Sequence, residues 1–172
     1  ETVQNSRNIS DRPRILKGRV WVIPMDDIDT DMIFHNRHLT ITDIHEMGKY
    51  AFGNLKGFEN FSSDASAGDI VIAGKNFGSG SSRQQAVDCF VSLGVSAIIA
   101  ESFGAIYERN AINAAFPIVS SAGILDSGVR TGDIIEINLE TGKILGGNGT
   151  ILAAGEAFSE VQMEIYLNNG LF

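Results

Sequence analysis

The sequence predicts an α/β domain built on a mixed sheet, and three observations carry that expectation. Short apolar runs at 69–73, 96–100 and 117–119 alternate with longer stretches of helical periodicity at 83–93 and 105–115. Crossovers of that kind join parallel strands. Late in the chain the alternation changes, and segments 133–139 and 143–145 flank Glu140-Thr141-Gly142, a signal for an antiparallel hairpin.

Taken in order, residues 16–23 are rich in Val, Ile and Trp and read as a first strand that Pro24 ends. The Asp-rich stretch 26–31 reads as a loop. Residues 42–51 form a short helix capped by Thr42 or Asp43, with Ile44, Met47, Tyr50 and Ala51 on one face. Segment 57–68 is a polar connection, and 75–82 is a loop of Gly and Ser. The segment 83–93 reads as a helix in which Ala86, Val87, Phe90, Val91 and Leu93 are apolar and Gly94 is the C-terminal stop. Residues 157–168 close the chain as a helix stopped by Gly170.

A chain of 172 residues suits one domain with a real core. Residues 1–15 are expected to be a flexible arm, and 16–172 the single domain. The net charge of −8 argues against a nucleic-acid partner, which would need a basic stripe. No apolar run is long enough to cross a bilayer. The polar first residues contain no secretory apolar region, so a cytoplasmic location is expected. Cys89 is the one cysteine, which excludes an intrachain disulfide and an iron–sulfur cluster held by this chain, since a cluster needs three or four thiolates. His35, His38 and His45 lack zinc-ligand spacing, and no metal ligand is assigned.

The segment Gly74-Lys75-Asn76-Phe77-Gly78-Ser79-Gly80-Ser81-Ser82-Arg83 follows a buried strand and opens a helix. On composition alone it is more commonly a turn with a capping serine. The alternative is an anion site: Gly78 and Gly80 let the backbone come close to a ligand, amide groups at the helix start favour negative charge, and Arg83 adds a carboxylate donor. Ser82 is read first as the cap, with hydrogen bonding to the substrate as the alternative. The segment lacks the signatures of a Walker loop, a dinucleotide fingerprint and a nucleophile elbow.

Asp27-Ile28-Asp29-Thr30-Asp31, this Gly/Ser loop, Ser102-Phe103, and Arg109-Asn110-Ala111 before Pro117 occur in the order and spacing of one family. Over roughly 15–170 the chain resembles the swivelling β/β/α domain of the aconitase superfamily, and within it the small subunits of isopropylmalate isomerase and homoaconitase. The resemblance implies a hydro-lyase of two chains, with a large partner subunit carrying a [4Fe-4S] cluster and no cofactor on this chain. It maps the family's proton-abstracting serine to Ser81 and its supporting arginine to Arg83. Asp29, Thr30 and Asp31 fall beside the active site, although by composition they are an ordinary Asx-turn cluster. Many relatives carry Cys in place of Ser79 and Glu-His in place of Gln84-Gln85.

Arg37-His38-Leu39-Thr40-Ile41 matches the loop that contacts the variable substituent of a malate-like substrate. Thr40 and Ile41 bring no charge there, which favours an alkyl group over an extra carboxylate, since an unpaired buried carboxylate is costly. The implied reaction is the isomerisation of 2- and 3-isopropylmalate by dehydration and rehydration, a step of leucine biosynthesis. The alternatives are another malate-like acid (dimethylmalate, methylcitrate, homoaconitate) or a non-catalytic organic-anion module. His38 is either a surface residue or substrate-facing, and Arg37 opposes the apolar reading if it turns inward. Homo-oligomers are open to the chain when isolated.

Overall fold

The computed structural model describes residues 11–171. Its strands are β1 (Ile15–Ile23), β2 (Ile70–Ala73), β3 (Ala97–Ala100), β4 (Ile118–Ser120), β5 (Ile134–Asn138), β6 (Lys143–Gly146) and β7 (Ile151–Ala154). They form one seven-stranded sheet in the order β4-β3-β2-β1-β5-β6-β7. The β4-β3-β2-β1 half is parallel and the β1-β5-β6-β7 half antiparallel, so the sheet is mixed, as the sequence predicts.

β1 makes the junction. Its first half, Ile15 to Arg19, pairs with Asn138 to Ile134, and its second half, Val20 to Ile23, pairs with Ile70 to Ala73. β2 and β3 are buried along their whole length. That is why they read as unbroken apolar runs rather than alternating ones. The sheet curls until its edges meet: Ser121 Oγ donates to Ala154 O at 2.9 Å and Glu156 N to Ser120 O at 2.8 Å. One apolar cluster fills the inside of the curl, with Val20, Ile72, Ile99, Ile135, Ile137 and Ile144 at its centre.

The second cluster lies between the parallel half and the helices α4 (Gln85–Leu93) and α5 (Ala105–Asn113). Phe52, Phe61, Phe77 and Phe90 meet there edge to face or tilted, with ring centroids 5.0 to 6.4 Å apart. Each fully buried phenylalanine contributes about 1.5–3 kcal/mol, so these rings are a main anchor of the segments that carry them. Phe77 belongs to the Gly/Ser loop, and its burial fixes that loop to the core.

Several elements differ from the sequence reading. The expected loop at 26–31 ends in a one-turn helix, α1 (Thr30–Ile33), because Asp29 accepts from Met32 N and caps it. The expected helix over 42–51 breaks into α2 (Ile44–Met47), capped by Asp43, and a 3-10 turn (Gly48–Tyr50). Gly48 N donates to Ser92 Oγ at 3.1 Å, and this tertiary bond draws the backbone out of the α-helical course. The polar connection holds another single turn, α3 (Phe61–Asp64), and β7 extends the hairpin into a third antiparallel strand. The closing helix, α6 (Glu160–Leu167), starts where Ser159 accepts from Gln162 N.

The arm expected at 1–15 falls partly outside the described residues. Of the remainder, Arg12 Nη1 donates to Ala115 O and Tyr166 O, and Tyr166 Oη donates to Pro13 O. Ile15 already belongs to β1.

Candidate active site

The candidate site lies at the carboxyl ends of the parallel strands, where open α/β sheets commonly bind ligands. Three connections converge there. The segment after β1 runs beside the one after β2: Asp27 N donates to Lys75 O, Gly78 N to Ile28 O and Thr30 N to Ser79 O, all at 2.8–2.9 Å. The segment after β3 closes the other side, with Phe77 N donating to Ser102 O at 3.0 Å and Gly104 N to Phe77 O at 2.9 Å.

Gly78 and Gly80 both have positive φ, +79° and +94°. Gly78 is buried against Tyr107, and a Cβ there would stand 2.2 Å from Tyr107 Cγ. Its role is therefore close packing of the loop onto α5, not approach to a ligand as the sequence suggests. Tyr107 is itself fixed, since its hydroxyl donates to Ala86 O at 2.9 Å and its ring packs on Phe77. Gly80 faces open space, with Thr30 Oγ1 at 3.6 Å as the nearest neighbour of a Cβ.

Ser81 is exposed. Its carbonyl accepts from the hydroxyl of Thr30, which is 3% exposed, at 2.9 Å, so the backbone at the serine is held from beneath. Among the described residues, none of the backbone N–H groups of 80–85 donates to another protein group. Donors left open in an exposed loop are satisfied by water or by an anion.

α4 begins at Gln85, and its N-cap residue Gln84 has no side-chain capping bond. This corrects the reading of Ser82 as the cap. Ser82 Oγ instead accepts from Asn110 Nδ2 of α5 at 3.1 Å. Ser81 accordingly precedes the first helical turn, and the open donors of the loop, more than the helix dipole, set its surroundings.

The Arg83 side chain is 10% exposed. Its Nη1 donates to Phe34 O at 2.6 Å, Asp31 Oδ1 at 3.1 Å and Thr30 O at 3.3 Å. The guanidinium is thus clamped onto the end of α1, and Nε and Nη2 take no part in these three bonds. No hydrogen bond joins Arg83 to Ser81 among the described residues; Thr30 links both. The Asn36 backbone N–H, followed by Arg83, holds the Asp31 carboxyl below the usual carboxylate range against the opposing effect of burial. Asp31 also accepts from Asn54 Nδ2 at 3.2 Å.

The substrate-loop candidates are placed less uniformly. Arg37 and Thr40 are exposed, whereas Ile41 is partly buried and packs against the core. Ile41 therefore shapes the loop from within more than it presents a surface. His38 stacks on Tyr50 at 3.9 Å, and its Nε2 accepts from Arg37 Nε at 3.2 Å. Arg37 turns to this ring. Burial, then the charges of Arg37 and His35, push the His38 pKa down. Gln85 Nε2 donates to Leu39 O at 3.2 Å and ties this loop to the start of α4, while Gln84 Nε2 bonds Asp88 Oδ1.

The family model of the aconitase C-terminal domain matches residues 28–122, more than half of the chain. The chain belongs to this family. The isopropylmalate/citramalate isomerase small subunit of Methanocaldococcus jannaschii is 39% identical over 157 residues, covering 91% of each chain. The 3-isopropylmalate dehydratase small subunit of Halothermothrix orenii is 39% identical over 156 residues, covering 91% of this chain and 92% of that one. A crystal structure of 3-isopropylmalate dehydratase from Methanocaldococcus jannaschii superposes with a TM-score of 0.82 at 35% identity, covering 91% of this chain and 90% of that chain.

All the candidate residues, from Asp29 to Arg83, fall inside the span matched to the aconitase family. An iron–sulfur cluster does not fit this chain. Its one thiol, Cys89, is fully buried in the core, where desolvation pushes its pKa up, and three thiolates at least are required. Tyr107 escaped sequence reasoning, whereas Asn110 and Gln85 were noticed there without a role in the site. Asn110 stood within a family block and so carried a signal, but its partner, 28 positions away, did not.

Proposed function

We propose that this chain is the small subunit of a 3-isopropylmalate dehydratase, a hydro-lyase active only with its large subunit. The names of its relatives and their coverage of nearly the whole chain support that reading. The observation that carries the chemistry is the exposed Ser81 hydroxyl on a backbone pinned through Thr30, in a loop whose amide donors are open. The isomerisation removes a proton from one carbon and hydroxyl from its neighbour, then returns water in the opposite sense.

In this reading Ser81 takes and returns the carbon-bound proton. A serine hydroxyl is a very weak acid, so its anion must be stabilised by fixed donors and positive charge. The open N–H groups of 80–85 are such donors. Arg83 supplies the charge from a fixed position, tempered by Asp31. Ser82 binds a substrate carboxylate, Arg37, His38 and Thr40 form the wall toward the variable substituent, and Ile41 shapes that wall from within. Asp29, Thr30 and Asp31 are supports. Gly78 and Gly80 give the loop its course. The [4Fe-4S] cluster belongs to the large subunit, where it supplies Lewis-acid chemistry.

A stand-alone anion-binding module is disfavoured, because the relatives carry the names of dehydratase or isomerase subunits. The test is a substrate panel on the reconstituted two-chain complex: alkyl malates of increasing size, citramalate, citrate and homocitrate. Isopropylmalate or another alkyl malate is expected to give the highest kcat/KM. Preference for citrate or homocitrate would contradict the uncharged surface at Thr40.

A further inference from the structure

The contact between α5 and the Gly/Ser loop carries more than packing. Ser82 Oγ accepts from Asn110 Nδ2 at 3.1 Å, and among the described residues its own O–H has no acceptor. A serine hydroxyl has one donor hydrogen and two acceptor lone pairs. An amide that donates into one lone pair restricts where that hydrogen can go. Asn110 is well placed to impose this restriction, because α5 cannot shift against the loop. Gly104, which caps α5, lies so close to Gly78 that a Cβ on it would stand 3.1 Å from Gly78 O, and Tyr107, one turn before Asn110, is wedged on Gly78.

We propose that Asn110 is a positioning residue that fixes Ser82 as a hydrogen-bond donor to a carboxylate of the substrate. Asn110 acts through Ser82 and does not touch the substrate itself. This inference rests on the function proposed above, and it adds a residue from an element that contributes nothing else to substrate binding. The logic excludes a carboxylate at position 110. Such a group would accept the Ser82 proton, reverse the bond, and place negative charge beside the anion to be bound.

The experiment uses the reconstituted complex with Asn110→Ala, Asn110→Asp, Ser82→Ala and the Ser82→Ala/Asn110→Ala double variant. Because a carboxylate contact exists in both the bound and the transition state, its loss raises KM and leaves kcat nearly unchanged. Asn110→Ala is expected to raise KM about 10-fold, the scale of a hydrogen bond to a charged group. Ser82→Ala should match it, the double variant should be no worse than Ser82→Ala, and Asn110→Asp should be worse than Asn110→Ala. Thermal stability and assembly should be close to wild type in all four. Independent, multiplying effects of the two alanine variants would overturn the proposal, as would an Asn110→Asp enzyme with wild-type KM or a loss confined to kcat. A wild-type complex inactive on every alkyl malate would instead refute the functional reading itself, and this role with it.

Discussion

Gly78 and Gly80 stand two residues apart in one loop, both at positive φ, yet the structure assigns them unequal costs on substitution. An alanine at either position must adopt a left-handed conformation, worth roughly 1–2 kcal/mol. At Gly80 the added Cβ meets nothing closer than 3.6 Å, so that is the whole penalty. At Gly78 it would lie 2.2 Å from Tyr107 Cγ and 2.5 Å from Tyr107 Cβ. Neither atom is the free end of a flexible chain, and the ring is buried and hydrogen-bonded to Ala86 O. Overpacking of this kind adds about 1–3 kcal/mol. Gly78→Ala should therefore lose about 2–5 kcal/mol, a large part of the roughly 5–15 kcal/mol available to a domain. For a chain of this size the melting temperature should fall by roughly 4–20 °C, against roughly 2–8 °C for Gly80→Ala. Urea unfolding and calorimetry of the two variants measure the difference directly. Equal losses at the two positions would refute the steric argument and with it the role of Gly78 in packing the loop onto Tyr107 of α5.

Two further outcomes follow from the same geometry. Thr30→Val keeps the shape but removes the donor to Ser81 O; stability should fall by about 1 kcal/mol, while kcat of the complex should fall roughly 10-fold or more, because small displacements of a reacting group are costly. A kcat unchanged in Thr30→Val would show that Ser81 does not depend on this tether. His38 has a folded-state pKa below its ordinary value of 6.5, so the unfolded chain binds more protons below that pH, and stability should decline as pH falls through 6.5. His38→Phe, which retains a ring against Tyr50, should flatten that part of the pH–stability curve; an unaltered slope would locate the titration elsewhere.

The parts of the fold legible in the sequence were those decided locally. β2, β3 and β4 are buried apolar runs, and α4 ends at Gly94 in the left-handed conformation, as its composition suggests. The hairpin at Glu140-Thr141-Gly142 is equally local: Asn138 Oδ1 accepts from Glu140 N and Thr141 N. β7 gave no such signal, since Ile151 to Ala154 is half-exposed, short and offset by a register shift in its partner. α1 and α3 are single turns, too short for periodicity to show.

The site was legible in outline for a different reason. The family resemblance located Ser81, Arg83 and the Asp29–Asp31 segment, but not their mutual arrangement. That arrangement is made by contacts across long stretches of chain: Thr30 to Ser81, Arg83 to Phe34, Gln85 to Leu39 and Asn110 to Ser82. No local pattern encodes such pairs. The capping role read for Ser82 failed on this account, because a serine near a helix start was drawn off by an amide from another helix.

The role of the Ser81 hydroxyl is tested most directly by turnover of isopropylmalate by the two-chain complex carrying Ser81→Ala, with assembly checked by sedimentation. Ser81 is exposed and its side chain supports no packing, so the alanine variant should fold and assemble normally while turnover is lost. A correctly assembled Ser81→Ala complex that isomerises the substrate at close to the wild-type rate would contradict the account.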